Sequence, residues 1–284
     1  MAPSFHCHHA MDPKDLLATP PALPSLPRAV ALLSAELAAP APRLRRLAQL
    51  FATDPQLAAQ LLREANAPLY QLPGRIGGIA EALVVVAPAR LQSLVAAARR
   101  GGGARAVPGI DLAQFWRYSL ETARMARALA AMVRYSPSHA YAAGLVHALG
   151  LCVIHLRAPQ QAAALQVRCA PLAPERAFEE QAAWGLNHAQ VTAALARQWH
   201  WPAALADGLA QMHQPLQGAA SEPLAGLLHL AVWRARAGLA ALGERELAVS
   251  FPAETALALG LDIDMVLQQE PIDWSQPGMQ AEAH

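Results

Sequence analysis

The chain is short of the residues that build sheets. Aromatic residues make up only 5% of it and charged residues 15%. β-Branched residues are also sparse, so the usual strand formers are missing. Alanine supplies much of the 54% hydrophobic fraction, and alanine favours helix and lets helices pack closely. These scarcities predict an all-α fold, and 284 residues allow one large domain or two small ones.

Charge of one sign is lacking too. With 22 basic and 21 acidic residues the formal net charge is +1, which offers no field to draw in nucleic acid or an anionic membrane. The short clusters Arg43, Arg45, Arg46 and Arg99, Arg100, Arg105 read as solvated helix faces or loops. Three cysteines, Cys7, Cys152 and Cys169, are odd in number and have no close pair, which argues against a disulfide framework and fits a reducing compartment. No N-terminal stretch has the layout of a signal peptide. The strongest apolar run, Ile79 to Val86, is interrupted by Glu81 and falls far below the ~20 residues of a membrane span. The expectation is a cytoplasmic protein with neither nucleic acid nor membrane as partner.

What is present is helical punctuation. Residues 1–22 carry prolines at 3, 13, 20 and 21 and little periodicity, and read as a disordered tail. The tail includes His6, Cys7, His8 and His9, with no partner ligands at ordered spacing. Val30, Leu33 and Leu37 share a helical face, as do Leu44, Leu47 and Phe51. Thr53-Asp54-Pro55 is a start signal, with Asp54 as cap and Pro55 in the first turn. Gly101-Gly102-Gly103 reads as a linker between two helical lobes, 23–100 and 111–240. Beyond it, Asp111 caps a long helix and Ser136-Pro137 opens one that runs to Gly150. A less regular stretch follows around Pro159, Pro171 and Pro174. Gly185 ends one helix, Asn187 caps the next, and further helices start at Pro202 and Pro223. Residues 241–284 suggest one or two short helices and then a polar tail.

Two segments carry a family resemblance. The first is Leu23-Pro24-Ser25-Leu26-Pro27, followed by Asp54-Pro55 and the run through Leu61-Leu62-Arg63 to Ala65-Asn66, then Leu69-Tyr70, Leu72-Pro73 and Ile76. The second runs from Phe115-Trp116-Arg117-Tyr118-Ser119 through Ala143-Gly144-Leu145-Val146-His147-Ala148-Leu149-Gly150 and Asn187-His188 to Trp199, Pro202 and His213-Gln214-Pro215. In this order, over roughly residues 23 to 238, they resemble the HDOD family, whose C-terminal half is related to HD phosphohydrolases. The resemblance implies an HD-like multi-helix bundle, with the N-terminal lobe packed on the HD-like lobe. It also implies a role in bacterial signal transduction, often near cyclic-di-nucleotide or two-component proteins.

An HD site gathers histidines and aspartates on one or two divalent ions. The metal lowers the pKa of a bound water, and the carboxylates balance its charge. Against the family's pattern, Tyr118 stands for the first histidine and His147-Ala148 for the His-Asp pair. His188 is retained, Met212-His213 replaces a His-His pair, and Val232 falls at the late aspartate. Both aspartates are gone, which leaves an ion no anionic protein ligand and no nearby carboxylate base. His147, His188 and His213 remain and could form a three-histidine zinc site, or a set of buried, hydrogen-bonded polar groups. The buried set is preferred, with no metal and no cofactor expected. The isolated His139, His155 and His229 read as ordinary surface or core residues, and Trp199 as core packing beside Trp201.

The leading expectation is therefore a non-catalytic signalling module that binds a protein partner. The candidate ligand cleft is Tyr118, His147, His188 and His213. No receiver, cyclase or DNA-binding segment is left over at either end. The alternative is a residual metal-dependent phosphohydrolase using His147, His188 and His213. Nucleic-acid binding is the weakest option, because the net charge is neutral.

Overall fold

The structure is a computed structural model that describes residues 10–19, 23–101, 106–217 and 222–268. Among the described residues every regular element is helical, as the composition predicts. The N-terminal part contains α1 (Pro13–Leu16), α2 (Pro27–Leu37), α3 (Leu44–Phe51), α4 (Pro55–Ala65), a 3-10 turn at Pro68–Tyr70, α5 (Ile79–Val85) and α6 (Pro88–Gly101). The HD-like part follows with α7 (Leu112–Met132), α8 (Pro137–Val146), α9 (Leu149–Arg157), α10 (Pro159–Gln166) and α11 (Arg176–Trp184). It is completed by α12 (His188–Gln198), α13 (Ala203–Gln211) and α14 (Pro223–Leu239). Three short helices close the chain: α15 (Glu244–Ser250), α16 (Ala253–Ala258) and α17 (Ile263–Leu267).

The family motif of the N-terminal lobe works as stitching. Asp54 is fully buried. One carboxylate oxygen accepts the Leu57 N–H at 2.8 Å, capping α4, and the other accepts the Leu26 N–H. One side chain thus joins the Leu-Pro segment to the start of α4. Asn66, also fully buried, donates to the carbonyls of Leu62 (2.9 Å) and Ile76 (2.8 Å) and accepts the Ile76 N–H at 3.1 Å. It pins the loop after α4 where water cannot satisfy those groups. Helices α4 and α5 then pack on α8, and the Tyr141 hydroxyl donates to the Ala52 carbonyl at 2.8 Å.

In the HD-like lobe α8 packs on α7 and α9 on α12. The motif glycines make both crossings close. A Cβ on Gly144 would sit 2.8 Å from the Ala123 Cα, and one on Gly150 would sit 2.0 Å from the His188 carbonyl oxygen. The helix expected to run unbroken from Pro137 to Gly150 is instead interrupted at His147–Ala148 and resumes through Arg157. The reason is local and tertiary together. The His147 Nδ1–H turns back onto the Gly144 carbonyl at 2.7 Å. From α12, the Thr192 hydroxyl lies 2.9 Å from the His147 carbonyl and accepts the Gly150 N–H at 2.8 Å. Pro137–Arg157 is long and apolar enough, by length and composition, to cross a membrane, and is 83% buried within the fold. Ile79 to Val86 is therefore not the most apolar stretch; the burial of α8 and α9 explains their composition.

The expected tail is corrected for residues 10–19. Asp12 caps α1, Leu16 and Leu17 are buried, and α1 packs on α9 and α12. The Met11 N–H donates to the Trp184 carbonyl at 3.0 Å, and Arg157 donates to the Thr19 carbonyl at 2.9 Å. Ten residues are too few to show periodicity, but two adjacent leucines suffice to anchor them. The stretch around Pro159, expected to be irregular, carries α10. The His6–His9 cluster, residues 20–22 and Gly102–Gly103 lie outside the described residues. Beyond position 240 the described residues carry three short helices, α15 to α17, against the one or two expected.

Candidate functional site

The break at His147 and the starts of α7 and α12 bring the expected side chains together as two ring pairs. Tyr118 and His147 meet edge to face with centroids 4.8 Å apart, and His188 and His213 do so at 5.1 Å. Tyr118, His147 and His188 are buried. Burial pushes the Tyr118 phenol up despite the opposing Arg236, whose guanidinium lies 5.7 Å from the ring centroid. The His147 Nε2 is buried with no partner. Burial lowers the His147 pKa to about 3, so the ring is neutral at physiological pH.

His188 is held by a carboxylate that the sequence motifs do not place. Its backbone N–H and its Nδ1 both meet Glu180 Oε2 at 2.7 Å. The other oxygen of Glu180 accepts the Arg176 Nε–H at 2.8 Å, and both of these side chains are fully buried. Arg176 also donates to the Cys169 carbonyl at 2.8 Å and reaches His155 Nε2 at 3.3 Å. His155 Nδ1 bonds the Pro108 carbonyl at 2.7 Å. Burial alone would favour the neutral acid in Glu180. Its contacts with His188 and Arg176 outweigh that and hold its pKa below the usual carboxylate value. His155 is thus a linked core residue and not an isolated one. The signal for this chain was an i,i+4 Arg-Glu spacing on α11. Only the packing of α11 on α12 brings it to the histidine.

On its far side His188 Nε2 faces His213 Nε2 at 3.3 Å. Burial drives the His213 pKa well below the usual imidazole range, with His188 and Arg236 adding to it. His229 donates from Nδ1 to the Met212 carbonyl at 2.8 Å, and its pKa is lowered by burial. The replaced positions Ala148, Met212 and Val232 are all buried and apolar. Among the described residues no three His, Cys, Asp or Glu side chains are grouped to hold an ion. The one nearby carboxylate, Glu180, is already engaged by Arg176 and His188. The residues present therefore do not fit an HD-type metal centre, and no step is derived through one.

A cavity of about 700 Å³ lies beside the histidine pair. His213, His229, Val232, Trp233 and Arg236 form one side of its wall. Tyr118, His147 and His188 do not line it. Of the four residues expected to form a ligand cleft, His213 alone lines this cavity. The other three are packed behind it, because burial of α7, α8 and α12 consumes their faces. His229 and Arg236 belong to the site and were missed. With Val232 and Trp233 they fall at i, i+3, i+4 and i+7, one face of α14, and that spacing was a readable signal. His139 instead pairs with Glu81 at 3.1 Å, and Trp199 and Trp201 are buried edge to face with centroids 6.0 Å apart.

A family model described as the HDOD domain matches residues 23–215. Among solved structures, the MmoQ response regulator of Methylococcus capsulatus is similar, with 22% identity and a TM-score of 0.69 over 87% of this chain and 98% of that one. A virulence factor of Campylobacter jejuni is similar at 17% identity and a TM-score of 0.65, over 90% and 94% of the two chains. A protein of Shewanella amazonensis described as a candidate phosphohydrolase gives 26% identity and a TM-score of 0.51, over 89% and 91%. No curated protein matches this sequence.

Proposed function

Because the chain belongs to the HDOD domain family, we propose that it is a cytoplasmic regulatory module that works by binding a protein partner and not by hydrolysis. The observation that carries the reading is the fate of the charge at the old site. Positions 148, 212 and 232 hold Ala, Met and Val, and the buried Glu180 is engaged by Arg176 at 2.8 Å and His188 at 2.7 Å. Metal-dependent hydrolysis of a phosphodiester needs carboxylates free to balance an ion and position its water. The partner belongs to a bacterial two-component or cyclic-di-nucleotide pathway, and the similar fold of a protein named a response regulator supports that placement. Nucleic acid is not a partner on this reading, since the net charge is +1.

The test is metal analysis of chelator-free protein together with a phosphodiester hydrolysis screen. The expected result is neither stoichiometric metal nor turnover. Stoichiometric metal with turnover abolished by His147→Ala would overturn the reading. Partner capture compared between the natural chain and a Tyr118 or His147 variant then shows whether the interface uses this cleft.

One observation favours the alternative, a residual phosphohydrolase on His147, His188 and His213. The His188 and His213 Nε2 atoms stand 3.3 Å apart, which is about the separation of two ligands at ~2.0–2.1 Å from one tetrahedral zinc ion. The same assay decides between them.

A further inference from the structure

The wall of the cavity holds one cation, Arg236, and one carboxylate, Asp111. The carboxylate is held at the start of α7, where Asp111 Oδ1 accepts the N–H groups of Ala113 at 2.9 Å and Gln114 at 3.1 Å. The cation has no partner of opposite charge. Among the described residues no Asp or Glu forms an ion pair with Arg236, and its Nε–H is buried without an acceptor. What surrounds it is a set of groups that cannot neutralise it: the Tyr118 ring at 5.7 Å, and the imidazoles of His213 and His229, which burial keeps uncharged. A half-buried guanidinium without a counter-charge is costly, and its forked donors suit a carboxylate.

Most of the rest of the wall is apolar, including Leu172, Phe178, Val232 and Trp233, with Gln114, Gln166 and Ser250 as its polar members. Trp233 is fixed in place by its indole N–H on the Ser250 hydroxyl at 3.1 Å and by edge-to-face contact with Phe251 at 5.3 Å. A cavity of about 700 Å³ lies within the range of ~300–1,000 Å³ that takes small molecules, and an apolar wall with few placed polar groups is the usual pattern. His229, Trp233, Arg236 and Ser250 all lie beyond residue 215, where the family match ends. The pocket is therefore shared between the matched region, which supplies Asp111, Leu172, Phe178 and His213, and the part of the chain beyond it, which supplies Arg236 and Trp233.

From these observations we infer that the cavity is a binding site for small organic monoanions, a carboxylate carried on an aromatic or apolar body, with Arg236 as the partner of the anion and Trp233 as the platform for the body. The inference takes the non-catalytic reading of the neighbouring histidines as given, since it assigns His213 a place in a wall and no chemistry. Arg236 can pair a single negative charge, and a second one on the ligand would be left unpaired in a wall that already holds the Asp111 carboxylate.

Isothermal titration of the full chain with 2-naphthoate, 2-naphthalenemethanol and 2-naphthylmethylamine separates charge from shape, because the three share one ring system. The carboxylate is expected to bind at one site, with the alcohol and the amine weaker by about tenfold or more, the usual worth of a charged hydrogen bond. Arg236→Gln should bring the carboxylate down to the level of the alcohol and leave the alcohol unchanged. Trp233→Ala should weaken acid and alcohol alike. Ala240→Trp, at the exposed rim of the cavity, should block both without touching the proposed contacts. Equal affinity for the three compounds, or naphthoate binding that survives Arg236→Gln, overturns the inference. Such a failure leaves the metal and hydrolysis results as they stand. Turnover in the hydrolysis screen would sink the non-catalytic reading while naphthoate binding was still measurable.

Discussion

The two lobes hold their buried polar motif residues by different partners. In the N-terminal lobe Asp54 and Asn66 are fully buried, and each spends its side chain on backbone groups, Leu26 and Leu57 in one case and Leu62 and Ile76 in the other. In the HD-like lobe His188 is held by side chains, Glu180 and His213. Unpartnered buried atoms occur in both, Gln56 Oε1 and the Tyr70 hydroxyl in the first and His147 Nε2 in the second. A satisfied buried group holds the chain together. An unsatisfied one costs free energy, and its presence in a motif marks a place shaped for something other than stability. Asp54 and Asn66 therefore act as a structural stitch, and the His147 Nε2 does not.

The largest test of that contrast is acid. His147 titrates at about 3 when folded, against 6.5 for a free imidazole, and His213 and His229 are also lowered. A depressed folded pKa means the unfolded chain takes up protons first. The stabilising contribution is complete above pH 6.5 and lost as the pH falls towards 3. His147 alone should remove about 3 kcal/mol by pH 4. Asp54 has the opposite sign. Burial raises its pKa from 3.8 to about 6, so its contribution is present below pH 3.8 and lost as the pH rises through 6. Denaturant unfolding at a series of pH values should thus show a steep acid loss that His147→Phe reduces. Asp54→Asn should leave that loss in place while flattening the opposing slope between pH 4 and 6. An acid slope untouched by His147→Phe would break the comparison.

A smaller effect is expected at Asn66. Asn66→Ala strands the Ile76 N–H and carbonyl in a part-buried position, and should cost about 2 kcal/mol of unfolding free energy. A loss below ~0.5 kcal/mol would mean that the loop is held by other contacts. The smallest effect belongs to Tyr118. Removing a buried hydroxyl whose one polar neighbour of note is the Arg236 guanidinium should change stability by less than ~1 kcal/mol, so Tyr118→Phe should leave the urea midpoint nearly unchanged. A clear drop would show that this oxygen is satisfied.

Several elements are legible in the amino-acid order because their causes are local. Asp54, Asp111, Ser136 and Asn187 each accept N–H groups of the helix that follows, and Gly185 leaves α11 with φ of 75°. Capping and left-handed exits depend on a few adjacent residues, so they can be read directly. The helix break at His147–Ala148 cannot be read that way, because Thr192 on α12 helps to make it. Neither can α1, which has too few residues for a pattern and depends on α9 and α12 for its burial.

The candidate site divides along the same line. Which residues stand at the positions of the family's pattern is a matter of identity, and Tyr118, Ala148, Met212 and Val232 are read there directly. What occupies its place is a matter of approach between distant segments. Glu180 meets His188 only because α11 packs against α12, and the α14 face of His229 and Arg236 reaches His213 only because α14 packs on α13. Side-chain identity travels with the chain, and so composition, caps and the helical class were settled by sequence. Burial, charge pairing and the shape of open space arise between helices, and only their packing decided which histidine faces a cavity and which cation is left without a partner.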